Sequence, residues 1–204
     1  MITIIDYGVG NIFAFQNVYK RLNIPTRIAK TVEDLENVDK LILPGVGNFD
    51  YAMSQLNSSG MRKRLDELVI IEKKPIIGIC VGMQMMTEKS DEGTVAGLGW
   101  IKADVKKFDA STIEFHTKLP HMGWNNVNPT LNHRLFDGLE KDAIFYFLHS
   151  YYFNCNNNNE IISKSEYGIK FASSVQHENI YGIQFHPEKS HSNGERLLHN
   201  FAKL

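Results

Sequence analysis

The sequence has little cysteine: Cys80 and Cys155 are the only two among 204 residues. Two cysteines build no disulfide framework, and a structural zinc site of the four-cysteine type is excluded. This usage fits a reducing, cytoplasmic setting. An excess of one charge is missing as well. Lys and Arg number 22 against 23 Asp and Glu, a formal net charge of −1, which excludes a broadly basic surface for nucleic acid. No apolar run reaches the ~18 residues that a membrane span requires. The opening residues Met1-Ile2-Thr3-Ile4-Ile5-Asp6 carry no basic segment, so no signal peptide is expected. No internal repeat and no long linker interrupts the chain. These absences lead us to expect one globular domain over residues 1–204, with no membrane and no nucleic-acid partner. They name no activity.

The first half alternates two patterns. Ile2–Ile5 is a β-branched run, and Phe15, Val18, Tyr19 and Leu22 then recur at helical spacing. Leu41-Ile42-Leu43 is a second apolar run, stopped by Pro44-Gly45, and Phe49, Met53 and Leu56 follow on one helical face. Met61, Leu65 and Leu68 mark another. Residues 75–79 are the third apolar run and lead into a helix expected from Val81. Wholly apolar strands between amphipathic helices predict an α/β fold with a mostly parallel sheet covered on both faces. The second half predicts an added antiparallel segment, with strands near 101–108, 144–147, 169–175 and 180–185. A final helix is expected over 194–204. The polar run 154–159 reads as an exposed loop without chemistry.

Gly78-Ile79-Cys80-Val81-Gly82 fits the pattern glycine-x-nucleophile-x-glycine where a strand meets a helix. A turn that sharp strains the nucleophile's backbone and brings neighbouring chains into contact, so glycines stand on both sides. The helix N-terminus favours thiolate over thiol. The plain alternative is that Cys80 is a small buried hydrophobe between packing glycines. Cys155 has none of this context. A cysteine nucleophile wants a histidine base and a group to hold the imidazole. Of eight histidines, His186 stands out, because Pro187 pushes it toward extended geometry and Glu188 lies two residues on. The alternatives are a solvated surface turn, or a metal site using His186, Glu188 and His191; the spacing is not that of H-E-x-x-H, and no metal is expected. Pro44-Gly45-Val46-Gly47-Asn48 follows a parallel-type strand and can aim backbone amides at a ligand. Those of Gly45, Val46 and Gly47, with that of Val81, suit a tetrahedral oxyanion. A phosphate loop is the rival, but Phe13 and Asp50 stand where G-x-G-x-x-G needs its third glycine.

Residues 78–84 together with Gly182-Ile183-Gln184-Phe185-His186-Pro187-Glu188 resemble a class I, triad-type glutamine amidotransferase. The resemblance implies a three-layer fold with no cofactor, with Cys80 as nucleophile, His186 as base, Glu188 as its orienting carboxylate and Gln84 beside the substrate. The segments 6–11, 44–47, 120–125, 147–152 and 186–190 are similar to one branch, the glutaminase subunits of imidazole glycerol phosphate synthase. That branch implies L-glutamine as substrate and a heterodimer with a (β/α)8-barrel cyclase subunit that receives the ammonia. It places His149, Ser150 and Tyr151 near glutamine, and Trp124, Tyr146 and Lys189 at the subunit interface. Val81 departs from the leucine usual after the nucleophile. Two alternatives stay open: a paralogue feeding ammonia to a sugar for surface-polysaccharide amidation, and a non-catalytic regulatory subunit keeping the fold.

Overall fold

The computed structural model describes residues 1–130, 133–141 and 143–204. The strands β1 (Ile2–Ile5), β2 (Thr26–Ala29), β3 (Lys40–Gly45) and β4 (Ile76–Cys80) alternate with α1 (Ile12–Arg21), α2 (Phe49–Ser58), α3 (Arg62–Asp66) and α4 (Val81–Gln84). The rest is mainly strand: β5 (Lys89–Ser90), β6 (Ala103–Lys107), β7 (His121–Asn126), β8 (Asn128–Pro129), β9 (Ile144–His149), β10 (Tyr151–Cys155), β11 (Ile161–Tyr167), β12 (Ile169–His177) and β13 (Ile180–Ile183). The helix α5 (His191–Lys203) follows.

The main sheet runs β2-β1-β3-β4-β13-β12-β10-β6-β5, with β11 on β12 and β8 on β11. From β2 to β13 the strands are parallel. Beyond β13 the pairings turn antiparallel, apart from the short β5–β6 contact. The pairing of β7 with β9 forms a separate antiparallel ribbon. Every residue of β1, β4 and β13 is buried, as strands covered on both faces must be. β7 and β11 alternate instead, with one face toward solvent. One continuous apolar core runs through both halves.

Three expectations need correction. β3 does not stop at Leu43 but runs through Pro44 and Gly45, which pair with Ile79 and Cys80. Pro44 is tolerated because the pairing with β1 ends at Ile42, and its carbonyl on that open flank accepts from the Tyr7 hydroxyl at 2.7 Å. The helix expected from Val81 does begin there and is a single turn. α5 starts at His191 rather than Gly194, because packing against the Pro187–Lys189 turn overrides weak helix formers there. Asn154 and Cys155 are not loop but the end of β10, where the Asn154 amide donates to Asp104 at 2.7 Å. β11 escaped the sequence reading because part of its buried face is serine. Ser163 is fully buried and its hydroxyl bonds that of Ser173 at 2.8 Å, so hydrophobic alternation is invisible there.

The tightest packing lies where β3, β4 and α4 meet. A Cβ on Gly82 would overlap the Leu43 carbonyl, and one on Gly45 would overlap the Gly82 amide. Alanine normally favours a helix over glycine by ~1 kcal/mol, while forced overpacking costs ~1–3 kcal/mol. Because the overlap is with backbone, the upper end of that cost applies, and Gly82→Ala is expected to lower stability by about 2 kcal/mol, read as a drop in denaturant midpoint. Unchanged or raised stability would show that β3 and α4 separate at no cost.

Candidate active site

Cys80 closes β4 with φ 55° and ψ −112°, outside the regions an L-residue ordinarily adopts. This is the strain that the flanking glycines predict. Cys80 is 3% exposed. The Gln184 amide donates toward its Sγ at 3.6 Å, and the Leu148 carbonyl lies 3.8 Å from the sulfur. α4 has only four residues, so its dipole contributes little charge, and the imidazole facing the sulfur is the stronger electrostatic neighbour.

His186 is delivered by register. Ile183 pairs with Ile79, so the chain leaving β13 passes beside the chain leaving β4. The His186 amide donates to the Tyr146 carbonyl at 2.8 Å. The Ser190 hydroxyl donates to the His186 carbonyl at 2.6 Å and accepts from the Tyr146 amide at 3.0 Å, which ties this turn to β9. His186 Nδ1 and Glu188 Oε1 are 2.9 Å apart, with side chains 4% and 2% exposed. Glu188 reaches back through the tight turn Pro187–Lys189, not along an extended strand as the spacing suggested. Burial disfavours the imidazolium, but the charge on the Cys80 sulfur and the Glu188 carboxylate outweigh it and raise His186 to about 10. Its proton is held through neutral pH. The stability this pairing contributes is present in full below about 6.5 and is lost as pH rises through about 10.

A cleft of about 410 Å³ opens over Cys80, lined among others by Val46, Gly47, Val81, Gln84, Ser150, Tyr151 and His186. Gly45 is not in the lining and serves the close approach of β3 to α4. His149 lines the cleft, yet both its ring nitrogens are engaged within the protein. Gln84 donates its amide to the Tyr151 carbonyl at 3.2 Å and to Gln184 Oε1 at 3.0 Å, bracing the wall.

Sequence reasoning missed two residues. Gln184 sits fully buried just beyond β13 and touches the sulfur; a lone polar side chain in an apolar run was the available signal. Glu92 lines the cleft and accepts from the Phe49 amide at 2.9 Å. Burial pushes its carboxyl up, and the Phe49 amide draws it part-way back. Its loop is pinned by Asp50, which accepts from the amides of Thr94 at 2.9 Å and Val95 at 3.0 Å; nothing local in the sequence marks it.

Lys189 also lines the cleft, with Nζ 5.5 Å from the Tyr146 ring centre. Trp124 and Tyr146 lie outside the lining, paired across the ribbon with ring centres 6.0 Å apart. Trp124 is half exposed and stacks on His191 at 5.2 Å. Among the described residues no three His, Cys, Asp or Glu side chains are arranged to hold a metal ion. No helix there is long and apolar enough to cross a membrane.

The model of the family "Glutamine amidotransferase class-I" matches residues 3–204. The chain belongs to the class-I glutamine amidotransferase family. Within this amidotransferase family it is 52% identical, over all of both chains, to a protein of Bdellovibrio bacteriovorus named imidazole glycerol phosphate synthase subunit HisH. It is 50% identical, again over both full lengths, to the protein of that name from Leptospira borgpetersenii. The amidotransferase fold is shared with a solved glutamine amidotransferase from Thermotoga maritima, at a TM-score of 0.66 and 16% identity, covering 99% of this chain and 82% of that one.

The buried Glu188 carboxylate helps hold the proton on His186, so Glu188→Gln is expected to lower the imidazole's titration from about 10, as read by NMR of the ring. A midpoint that does not fall would leave Glu188 without electrostatic influence on His186.

Proposed function

We propose that this chain is a glutaminase subunit of imidazole glycerol phosphate synthase, acting in histidine biosynthesis, with Cys80, His186 and Glu188 as its triad. The observation that carries the reading is the strained, buried Cys80 facing a His186–Glu188 pair, in a chain half identical to HisH proteins. The sulfur, made anionic beside the imidazolium, attacks the side-chain carbonyl carbon of L-glutamine. His186 gives its proton to the departing nitrogen, and ammonia leaves with a thioester on Cys80. Water, deprotonated by His186, then cleaves the thioester to glutamate and restores the thiolate–imidazolium pair. The oxyanion is assigned to the backbone amide of Val81 and to the Val46–Gly47 segment, a donor of this kind supplying ~3 kcal/mol.

Glu92 fits the α-ammonium of glutamine, since a carboxylate held by a backbone amide at the cleft wall is the natural partner for that charge. The ammonia acceptor is assigned to a (β/α)8-barrel cyclase subunit bound over the mouth of the cleft. Exposed Met122, Trp124, Leu148 and Val46 support a partner surface there, with Tyr146 and Lys189 beside it. The reducing cytoplasm suits a free nucleophilic thiol. The intact triad speaks against a purely regulatory role, and residues 1–204 are taken as one functional domain.

The test is glutamate release by the complex with the cyclase subunit. Glutamine is expected to be hydrolysed only when the partner is bound, and Cys80→Ser should reduce the rate by about 10⁴-fold or more. No hydrolysis in the complex, or full activity in Cys80→Ser, would overturn the reading. In the same complex Glu92→Gln should raise the glutamine KM by about tenfold with a smaller change in kcat. An unchanged KM would remove Glu92 from substrate binding.

A further inference from the structure

We infer that His121 is a positioning residue for the glutamine cleft, acting through a hydrogen-bonded chain that runs from Asn125 through His121 and His149 to the carbonyl of Tyr151. The inference rests on the glutaminase reading above and goes beyond it by naming a residue that does not line the cleft.

The chain's protons are assigned by its ends. The Tyr151 carbonyl only accepts, and His149 Nδ1 lies 2.7 Å from it, so that nitrogen carries hydrogen. The Nε2 of a neutral His149 is then an acceptor, and His121 Nδ1 donates to it at 2.9 Å. His121 Nε2 in turn accepts from the Asn125 amide at 3.2 Å, whose other hydrogen goes to the Glu166 carbonyl at 2.9 Å. Every donor meets an acceptor, with one tautomer for each ring. Both histidines are buried, and burial lowers His121 to about 4 and His149 to about 3, so both are neutral at physiological pH. Tyr167 stacks on His121 at 4.0 Å and Phe147 at 4.8 Å, which fixes the ring plane.

The far end of this chain is the wall beside the nucleophile. Residues 148–151 line the cleft, and the Leu148 carbonyl lies 3.8 Å from the Cys80 sulfur. The Tyr151 carbonyl receives one side-chain donor from Gln84 and the other from His149. His121 and His149 face each other as partners at one end of the β7–β9 ribbon, which lies outside the main sheet. If the His121 donor is removed, His149 Nε2 becomes a buried acceptor without a partner, which the ring relieves by turning Nε2 toward the cleft that it lines. That rotation draws Nδ1–H away from the Tyr151 carbonyl, and the wall loses one of its two braces.

Two substitutions, each measured in the complex with the cyclase partner, make the test. His121→Phe keeps a ring between Tyr167 and Phe147 but has no donor, whereas His121→Asn returns an amide donor at the place of Nδ1. His121→Phe should raise the glutamine KM by about tenfold while kcat changes less, the size expected for one buried hydrogen bond. His121→Asn should stay within about threefold of the parent. Imidazole ¹⁵N spectra of the parent, recorded without glutamine, should show His149 as the Nδ1–H tautomer, with its Nε2 resonance shifting in His121→Phe as that nitrogen loses its donor. A parent His149 in the Nε2–H form overturns the proposal. So does His121→Phe with an unchanged KM, whatever its melting temperature, which would make the pair packing only, or His121→Asn impaired as much as His121→Phe. Failure of the glutaminase reading would instead appear as an inactive parent complex, leaving the tautomer result intact.

Discussion

Cys80 must be held at φ 55° and ψ −112°, and the rest of the site depends on that constraint. Such a conformation costs of order 1–3 kcal/mol and persists only where its surroundings over-determine it. Here they do. Cys80 pairs with Gly45 at the end of β3, both strands are buried there, and glycine backbones pack against one another with no room for a methyl group. The same parallel register that traps Cys80 delivers His186. Because Ile79 and Ile183 are partners, the two strands carry Cys80 and His186 into one cleft. Residues 106 positions apart in sequence become neighbours through strand pairing (186 less 80).

Within that cleft two histidines sit in opposite states. His186 is raised to about 10 and His149 lowered to about 3. Burial pushes both down, so what separates them is the company they keep. His186 lies between two groups that carry negative charge, and in a site of low effective dielectric those attractions exceed the cost of desolvation. His149 has a neutral imidazole on one side and a carbonyl on the other, and the nearby His186 charge disfavours a second cation. One ring is suited to moving protons and the other to holding a wall in place. The dipole of α4 is a minor contributor, since one turn aligns few peptide units.

The antiparallel second half supplies what the parallel half lacks. β9 and β10 bring residues 148–151 over the sulfur, and β7 lies along β9 as a ribbon with its outer face in solvent. Ser190 joins this ribbon to the turn that carries Glu188 by hydrogen bonds to both Tyr146 and His186. Trp124 on the ribbon and His191 at the start of α5 stack on each other, a further contact between the exposed face and the segment that follows Glu188.

The parallel strands, the nucleophile turn and the pairing of His186 with Glu188 were legible in the sequence because each is written locally. Apolar runs mark doubly covered strands, and the glycines around Cys80 and the proline after His186 mark their turns. Gln184 was visible only as an oddity, a polar residue in an apolar run, and Glu92 not at all, because the loop that aims it is held by Asp50 from another element. The serine-faced β11 hid from hydrophobic periodicity for the same kind of reason: its buried face is satisfied by hydroxyls of a strand that the sequence does not place beside it. By itself, then, the sequence determined the parallel strands, the sharp turn at Cys80 and the nearness of Glu188 to His186. Only the tertiary structure decided the depth of the cleft wall, the opposite shifts of His186 and His149 and the contact between His121 and His149. Those follow from which groups are buried together, and burial of distant residues against one another is a property of the folded chain.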